Sequence, residues 1–305
     1  MTVRFENMTS SASVQSNRKD RREPIEAASG FFVAPEFQRA LNGLGLTSMD
    51  TVFAFEKGKD LAKANIGSHR RRFQIEVTLP DSDEPIQLYL KRYDRPPRLQ
   101  QITNWLVHRR RVSFGRIEHD TAADLAAQGI GTPHTTAFGE RWGPLFETRS
   151  FLMTREVAQS ESLERKLPDC FAGAETATKR RRRRDFVTRL AEFVKRFHKT
   201  GYRHRDLYLS HIFYSTTGSF CLIDLARAFK PILCRRFQIK DLAQLHYSSP
   251  KRHFSATDRL RFYLTYCGQR RLRPSDKRLI RAVLRKALRM ARHNRKHRVP
   301  VPFLD

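Results

Sequence analysis

The chain has 305 residues, of which 39% are apolar and 22 are Phe, enough to bury a core in one two-lobed domain or in two ordinary ones. Its 59 Lys and Arg against 31 Asp and Glu give a formal charge of +28, which attracts polyanions such as nucleic acid, an anionic lipid surface or a phosphorylated glycan. No stretch approaches the ~18 apolar residues of a membrane span, and the N-terminus lacks a signal-peptide core, so a cytoplasmic protein is predicted. The four cysteines form no CxxC pair, and neither a disulfide nor a zinc site is expected.

The first half of the chain predicts a disordered tail followed by a β-rich lobe. Residues 1–30 are polar, Ser-rich at the start and without hydrophobic periodicity, which is typical of disorder. Residues 31–157 are predicted to form a small, mainly antiparallel sheet that carries one long helix. The predicted strands are 51–55, 71–79, 86–93, 135–143 and 150–157, and the predicted helical stretch is 99–128.

Two of these strands alternate apolar and polar residues on either side of a turn-rich connector, residues 80–85. This pattern predicts an antiparallel hairpin. In the second strand Lys91 falls on the face opposite Leu88 and Leu90, and strand alternation turns Arg92 away from Lys91.

Residues 158–305 are predicted to form a helical lobe with a small hairpin at its junction with the sheet. A helix over 185–201 has Asp185 as its candidate N-cap and Gly201 as its stop. The other predicted elements are strands at 211–214 and 219–224 and helices at 235–247, 257–266 and 275–293. The basic run KRRRRR, residues 179–184, is compatible with a solvated helix start, an anionic-membrane contact or a phosphate-rich substrate contact.

The segment HRDLYLSH, residues 204–211, and the later Asp224 carry the clearest chemistry. Phosphoryl transfer needs a carboxylate that orients or deprotonates the attacking hydroxyl, and ligands for the metal that bridges the phosphates. Asp206 is the candidate base and Asp224 the candidate metal ligand. The kinase signature is H-R-D-L-x-x-x-N followed by D-F-G, and here His211 replaces the Asn and Asp-Leu-Ala replaces D-F-G. A polar turn at a helix end is the alternative reading.

Lys91 matches the strand lysine of the same signature, which reaches the ATP phosphates and pairs with a helical Glu. Glu118 is the predicted partner, with Glu140 and Glu147 as alternatives. The glycine-rich loop is poor, because residues 67–72, GSHRRR, contain one Gly and several bases. Backbone amides and Arg side chains there could cover phosphates, or the segment is an ordinary basic turn.

From about Gly67 onward the sequence resembles the lipopolysaccharide kinase family, the Kdo and heptose kinases of the WaaP type. The matching stretches are LYLKRY at 88–93, Glu118 followed by AAQGIGTP at 126–133, SFLMTREVAQSESL at 150–163, RFHKTGYRHRDLYLSHIF at 196–213, LIDLARA at 222–228, RRFQIKDLAQLHYS at 235–248 and DRLRFYLTY at 258–266. In this family a His stands where protein kinases have Asn, so His211 fits the pattern.

The resemblance implies an α+β, bilobal protein-kinase-like fold, ATP with Mg²⁺ as cofactors, and phosphorylation of a sugar hydroxyl in the lipopolysaccharide inner core. By motif match, Asp206 is the base and His211 and Asp224 bind metal, whereas Lys91, supported by Glu118, binds ATP.

Other positions receive roles from the resemblance as well. Met153 and Arg155 would frame the adenine, and Arg227 matches an Arg of unclear role. Asp241 would buttress the catalytic loop, with helix capping as the alternative.

Two other function classes remain as alternatives to an active kinase: a non-catalytic kinase-like nucleotide-binding module, and a basic binder of membrane surfaces or nucleic acid. No recognised nucleic-acid motif is present, so no specific nucleic-acid partner is expected. About ten residues separate Asp224 from the next predicted helix and no A-P-E motif follows, which disfavours a protein substrate. The predicted partner is an anionic glycolipid or sugar, with peripheral contact at the inner face of the cytoplasmic membrane.

Overall fold

Alternating apolar residues build the larger of two sheets in the computed structural model, which describes residues 23–61, 69–79, 84–171 and 174–296. Its strands are β1 Ile25–Ala28, β2 Phe31–Val33, β3 Lys59–Asp60, β4 Arg70–Thr78, β5 Pro85–Asp94, β6 Thr135–Trp142 and β7 Glu147–Arg155. All pairings are antiparallel, in the order β1-β2-β6-β7-β5-β4-β3. With the helices α1 Gln38–Gly43, α2 Met49–Ala54, α3 Arg98–His108 and α4 Phe114–Ala127, this sheet forms the N-lobe.

The predicted β4–β5 hairpin is present, with Phe73 opposite Leu90 and Ile75 opposite Leu88. These four side chains are buried in the N-lobe core. Because side chains alternate along a strand, Lys91 lies on the other face of β5, toward α4.

Arg92 points away from Lys91, as the alternation predicted, and is buried. Its guanidinium donates to the carbonyl oxygens of Val52, Phe53 and Phe55, at 2.8 to 2.9 Å. These carbonyls lie at and just beyond the end of α2, where helical carbonyls have no partner within the helix. Arg92 therefore ties α2 to the sheet.

Three predictions for the N-lobe need correction. Residues 51–54 belong to helix α2 and not to a strand, because the side chains of Ser48 and Thr51 form a capping box that starts the helix. The stretch 99–128 is divided into α3 and α4, with Arg109 in a left-handed conformation at the break. The predicted tail is too long at its end, since residues 25–28 form β1 and pair with β2 through a turn at Gly30, whose φ is +68°.

The C-lobe consists of helices packed behind a small sheet. Its helices are α5 Leu163–Cys170, α6 Ala177–Lys199, α7 Cys234–Ser248, α8 Ala256–Cys267 and α9 Pro274–Lys296, and its strands are β8 Ser160–Ser162, β9 Ile212–Ser215 and β10 Phe220–Leu222. Apolar faces of α6, α7, α8 and α9 form the second core. The predicted α+β, two-lobed fold class is confirmed.

Helix α6 begins earlier than predicted. Its N-cap is Thr176, whose hydroxyl accepts from the amide of Lys179, and Asp185 lies inside the helix. The basic run 179–184 therefore occupies the first turns of α6, and most of its members are exposed. Gly201 ends the segment as predicted, with a φ of +87°. No helix in the described ranges is long and apolar enough to cross a bilayer.

A buried carboxyl group lies at the start of α4. Glu147 is 3% exposed, and its Oε2 accepts from the amide of Phe114 at 3.0 Å. Burial raises the pKa of this carboxyl from 4.5 to about 7. The folded state thus binds the Glu147 proton more tightly than the unfolded chain does.

The free energy of unfolding therefore gains a contribution from this proton. The contribution is fully present below about pH 4.5 and is lost as the pH rises through about 7. We expect Glu147→Gln to remove this loss, because the amide remains neutral and can still accept from Phe114. The difference in unfolding free energy between variant and wild type should change by roughly 3 kcal/mol in the variant's favour from pH 5 to pH 8. Urea unfolding of both proteins across this range measures it, and a pH-independent difference would contradict the assignment.

Candidate active site

The segment 204–211 forms a loop whose backbone amides donate hydrogen bonds to side chains on one face of α7. Asp241, which is fully buried, accepts from the amides of His204 and Arg205, each at 2.8 Å. Gln244 accepts from the amide of Leu207 at 3.1 Å. One turn further along, the Ser248 hydroxyl accepts from the amide of Leu209 at 3.0 Å.

These three α7 residues have a spacing of three and four positions, which places them on one side of a helix. Asp241 supports the 204–211 loop and does not cap a helix, because it lies inside α7 and accepts from two loop amides. The contacts matter because Arg205 has a φ of +68°, a conformation that non-glycine residues adopt at a cost.

The Asp206 carboxylate points out of this loop and is held by two side chains. Nη1 of Arg227 donates to its two oxygens at 2.9 and 3.2 Å, and Nε2 of Gln244 lies 3.4 Å from Oδ1. The side chain keeps about a fifth of its surface exposed, at 21%. The carboxylate is therefore oriented and still accessible from the cleft, as a group that accepts a proton from a bound hydroxyl must be.

Lys91 connects the two lobes through a pair of carboxylates. Its Nζ lies 2.5 Å from Oε1 of Glu118 on α4 and 3.1 Å from Oδ1 of Asp224. Arg70, at the start of β4, donates to the same Asp224 oxygen at 3.4 Å. Among the three candidate glutamates, the Lys91 contact falls to Glu118, because Glu140 pairs with Arg116 instead and Glu147 binds the start of α4.

This cluster is strongly polarised. The charge of Lys91, followed by that of Arg70, holds the pKa of Asp224 far below its usual range, although burial opposes the shift. Burial likewise works against the charge of Lys91, but the carboxylates of Asp224 and Glu118 raise its pKa above the usual range. Both groups are therefore ionised at every physiological pH.

His211 is placed by the same loop. Its Nδ1 lies 2.7 Å from the carbonyl oxygen of Asp206. Since a carbonyl only accepts, Nδ1 donates to it, which leaves Nε2 as the ring nitrogen that could bind a metal, as in metal-binding histidines. The carbonyl oxygen of His211 accepts from the amide of Ile223 at 3.0 Å, which places His211 beside the residue that precedes Asp224.

The remaining predicted residues are not all brought to this cluster. The side chain of Met153 lies in the N-lobe core with Leu90, its partner across the strands, and so on the face away from Lys91. Leu152, opposite Lys91 in the pairing, lies on the same face of the sheet as Lys91 and is buried. Arg155 ends β7 on the same side as Met153.

Two contacts were not singled out in the sequence. The loop-holding role of Gln244 becomes visible only once α7 is placed, although the spacing of Asp241, Gln244 and Ser248 is a usable signal. Arg70 belongs to the basic stretch 67–72. The first two residues of this stretch, one of which is its glycine, lie outside the residues that the structure describes. The structure assigns the contact with Asp224 to this arginine.

The chain has a seven-stranded antiparallel sheet over a helical lobe. A strand Lys pairs with a helix Glu, and two aspartates lie in loops where the lobes meet. These features together are typical of the protein-kinase-like class. Within that class the comparison with known families is specific. The chain belongs to the lipopolysaccharide kinase (Kdo/WaaP) family, whose model matches residues 71–266.

Individual relatives agree with this assignment. The lipopolysaccharide core heptose(I) kinase WaaP of Pseudomonas aeruginosa is 30% identical over 171 residues, 53% of this chain and 63% of that protein. The Escherichia coli protein of the same name is 30% identical over 188 residues, 58% of this chain and 69% of that protein. The aligned region thus spans less than two thirds of the first relative.

Among solved structures, WaaP in complex with acyl carrier protein superposes with a TM-score of 0.63 and 25% identity, over 85% of this chain and 98% of that chain. The fold is therefore shared over nearly the whole of the solved chain.

Proposed function

We propose that the protein transfers the γ-phosphate of ATP to a sugar hydroxyl of the lipopolysaccharide inner core or of a related glycolipid. The observation that carries the proposal is the Lys91 bridge to Glu118 and Asp224, next to a loop that presents Asp206. We further propose that residues 31–157 and 158–305 act as the two lobes that close on the nucleotide.

In this mechanism Asp206 accepts the proton of the attacking sugar hydroxyl. Arg227 and Gln244 fix the direction of its carboxylate. Lys91 and Arg70 exchange their contacts with Asp224 for contacts with the phosphate oxygens. The arginine thereby takes part of the role that backbone amides of a glycine-rich loop play in protein kinases.

The donor atoms near Asp224 fit a magnesium ion that is shared with a nucleotide. Mg²⁺ is usually held by one or two protein groups together with substrate phosphates and water, and here Asp224 and the free Nε2 of His211 would hold it. When bound, Mg²⁺ neutralises charge on the phosphates.

The lysine–glutamate pair gives a prediction for nucleotide use. Glu118→Gln removes the charge that holds Nζ of Lys91 and leaves the shape of α4 intact. We expect kcat/KM for ATP to fall on the order of 10- to 100-fold, because Lys91 then loses its position at the phosphates. Steady-state kinetics with varied ATP measure the effect.

Glu140→Gln is the matched control, since Glu140 pairs with Arg116 on the same helix α4 and does not touch Lys91. The control should stay within about threefold of wild type, as expected for a pair outside the cleft. Equal losses in both variants would show that Glu118 acts only through the stability of α4.

The choice of a glycolipid as acceptor is supported by the family and by charge. A chain of formal charge +28 is suited to a phosphate-bearing substrate at an anionic surface. We propose that it works at the inner face of the cytoplasmic membrane. Mass spectrometry of the core glycolipid from cells with and without the protein tests this, with one phosphate group missing in its absence as the expected result. An unchanged phosphate content would contradict the proposed substrate.

A further inference from the structure

Helix α3 carries an apolar stripe that faces solvent. Leu99 is 79% exposed, Leu106 75% and Ile102 40%. Their spacing of three and four residues places them on one side of the helix. The helix is firmly attached by its other side: Gln101 is buried and donates to the carbonyl of Glu147 at 3.1 Å.

Basic side chains flank this stripe at both ends of α3. Arg98 stands at its start, and Arg109, Arg110 and Arg111 follow its end, all of them exposed. An amphipathic helix with aliphatic residues on one face and arginines around it is typical of elements that lie in the interface of an anionic bilayer.

A second exposed apolar element lies in the loop before α7. Ile232 is 81% exposed and Leu233 66%. Lys230 precedes this pair, and Arg235 and Arg236 follow it. The loop therefore repeats the composition of α3: protruding aliphatic side chains between bases.

Contacts with α4 place these two elements side by side. Arg110, next to the end of α3, pairs with Asp120, and Lys230 pairs with Asp124 at 2.8 Å. Asp120 and Asp124 are four residues apart and so occupy the same face of α4, one turn from each other. The end of α3 and the 230–233 loop consequently lie along one side of the molecule.

That side borders the catalytic loop. The guanidinium of Arg205 lies over the ring of Phe229, 5.4 Å from its centre. Phe229, just before the apolar loop, exchanges backbone hydrogen bonds with Arg203 at 2.8 and 3.1 Å. The 230–233 loop thus adjoins the segment that carries Asp206, and the end of α3 lies beside that loop through their shared contacts with α4.

We propose that the outer face of α3 and the 230–233 loop form a membrane-contact surface, which docks the protein on an anionic lipid bilayer with the catalytic loop beside the headgroups. A bilayer fits better than a protein partner, because strongly exposed aliphatic side chains flanked by arginines match an anionic membrane interface. The benefit for catalysis rests on the proposed glycolipid acceptor, whereas the docking itself does not.

Co-sedimentation of the full chain with vesicles tests the surface. Wild type should bind vesicles of phosphatidylcholine mixed with phosphatidylglycerol, and added salt should weaken the binding. Leu99→Ser with Leu106→Ser should lower the partition constant about tenfold or more, because two aliphatic anchors are lost. Leu260→Ser with Leu288→Ser, two exposed leucines on α8 and α9, is the matched control and should bind like wild type.

Three outcomes would overturn the proposal. The first is that wild type does not sediment with the anionic vesicles, and the second is that the Leu99 and Leu106 variant binds them as wild type does. The third is that the two leucines mediate self-association or capture of an acidic protein, with no vesicle binding. Thermal unfolding of both double variants confirms that each is folded.

A kinetic comparison separates this surface from the proposed function. With a water-soluble, deacylated core sugar as acceptor, the Leu99 and Leu106 variant should match the wild-type kcat/KM. With the same core presented in vesicles, it should lose activity about tenfold, in parallel with binding. If wild type transfers phosphate to neither acceptor, the kinase proposal fails while the vesicle result still decides the docking surface.

Discussion

Asp206→Asn is expected to lower the rate of phosphate transfer about 10³-fold, because the amide cannot accept the proton of the attacking hydroxyl. The substitution preserves the size of the side chain and keeps one oxygen that can accept from Arg227. ATP binding should persist, since Lys91, Arg70 and Asp224 remain in place. Measured kcat values, with ATP affinity by calorimetry, separate these two effects.

Asp50→Asn is a matched control for this experiment. Asp50 is also an aspartate that accepts from one arginine, Arg141, at 2.7 and 2.9 Å, but it lies exposed on the N-lobe. An exposed ion pair contributes little, so this variant should transfer phosphate at the wild-type rate. Retained turnover in Asp206→Asn would refute the role of Asp206 as base.

Asp241→Asn should be the most damaging single change to stability near the site. The carboxylate is fully buried, accepts from two loop amides, and lies 3.3 Å from Nε2 of His198. An amide offers only one accepting oxygen and turns its NH₂ group toward a donor. We expect a loss of about 3 kcal/mol in unfolding free energy, measured by urea titration, and a lower kcat because Asp206 loses its fixed position.

The control for this prediction is Asp276→Asn. Asp276 accepts from the amide of Arg273 at the start of α9, at 2.9 Å, in an exposed position where Asn serves nearly as well. Its cost should stay within about 1 kcal/mol. Similar costs at both positions would mean that the Asp241 contacts add little to the loop.

The positions of the proposed catalytic residues were predictable because they lie in short segments with fixed local geometry. The HRDL motif, Asp224 at the end of a strand and Lys91 on the polar face of β5 each follow from sequence alone. The contact between Lys91 and Glu118 joins residues 27 positions apart, yet strand alternation and the following helix suffice to suggest it. Their catalytic roles remain predictions until the variants are measured.

Other features depend on packing that no local pattern reveals. Residues 51–55 have strand-like composition, but the capping box at Ser48 starts a helix that continues to Ala54. Arg92 stabilises the end of this helix by donating to its carbonyl oxygens. Tertiary context overrides propensity here. In the same way, Met153 was placed near the adenine by its position in the chain, and only the sheet register shows that its side chain turns into the core.

The exposed face of α3 illustrates a third case. The sequence predicts helical structure over 99–128, and in a single helix Leu99, Ile102 and Leu106 would be read as core residues. The break at Arg109 separates α3 from α4, so its apolar residues are directed to solvent while Gln101 is buried. Which face of a helix is covered is set by its neighbours.

Incubation of the purified protein with γ-labelled ATP, Mg²⁺ and a lipopolysaccharide core freed of phosphate tests the central claim most directly. Wild type should place label on one sugar of the core, and Asp206→Asn should leave the core unlabelled under the same conditions. The account is contradicted if wild type binds ATP with Mg²⁺ but labels no core sugar, or if both proteins label it equally.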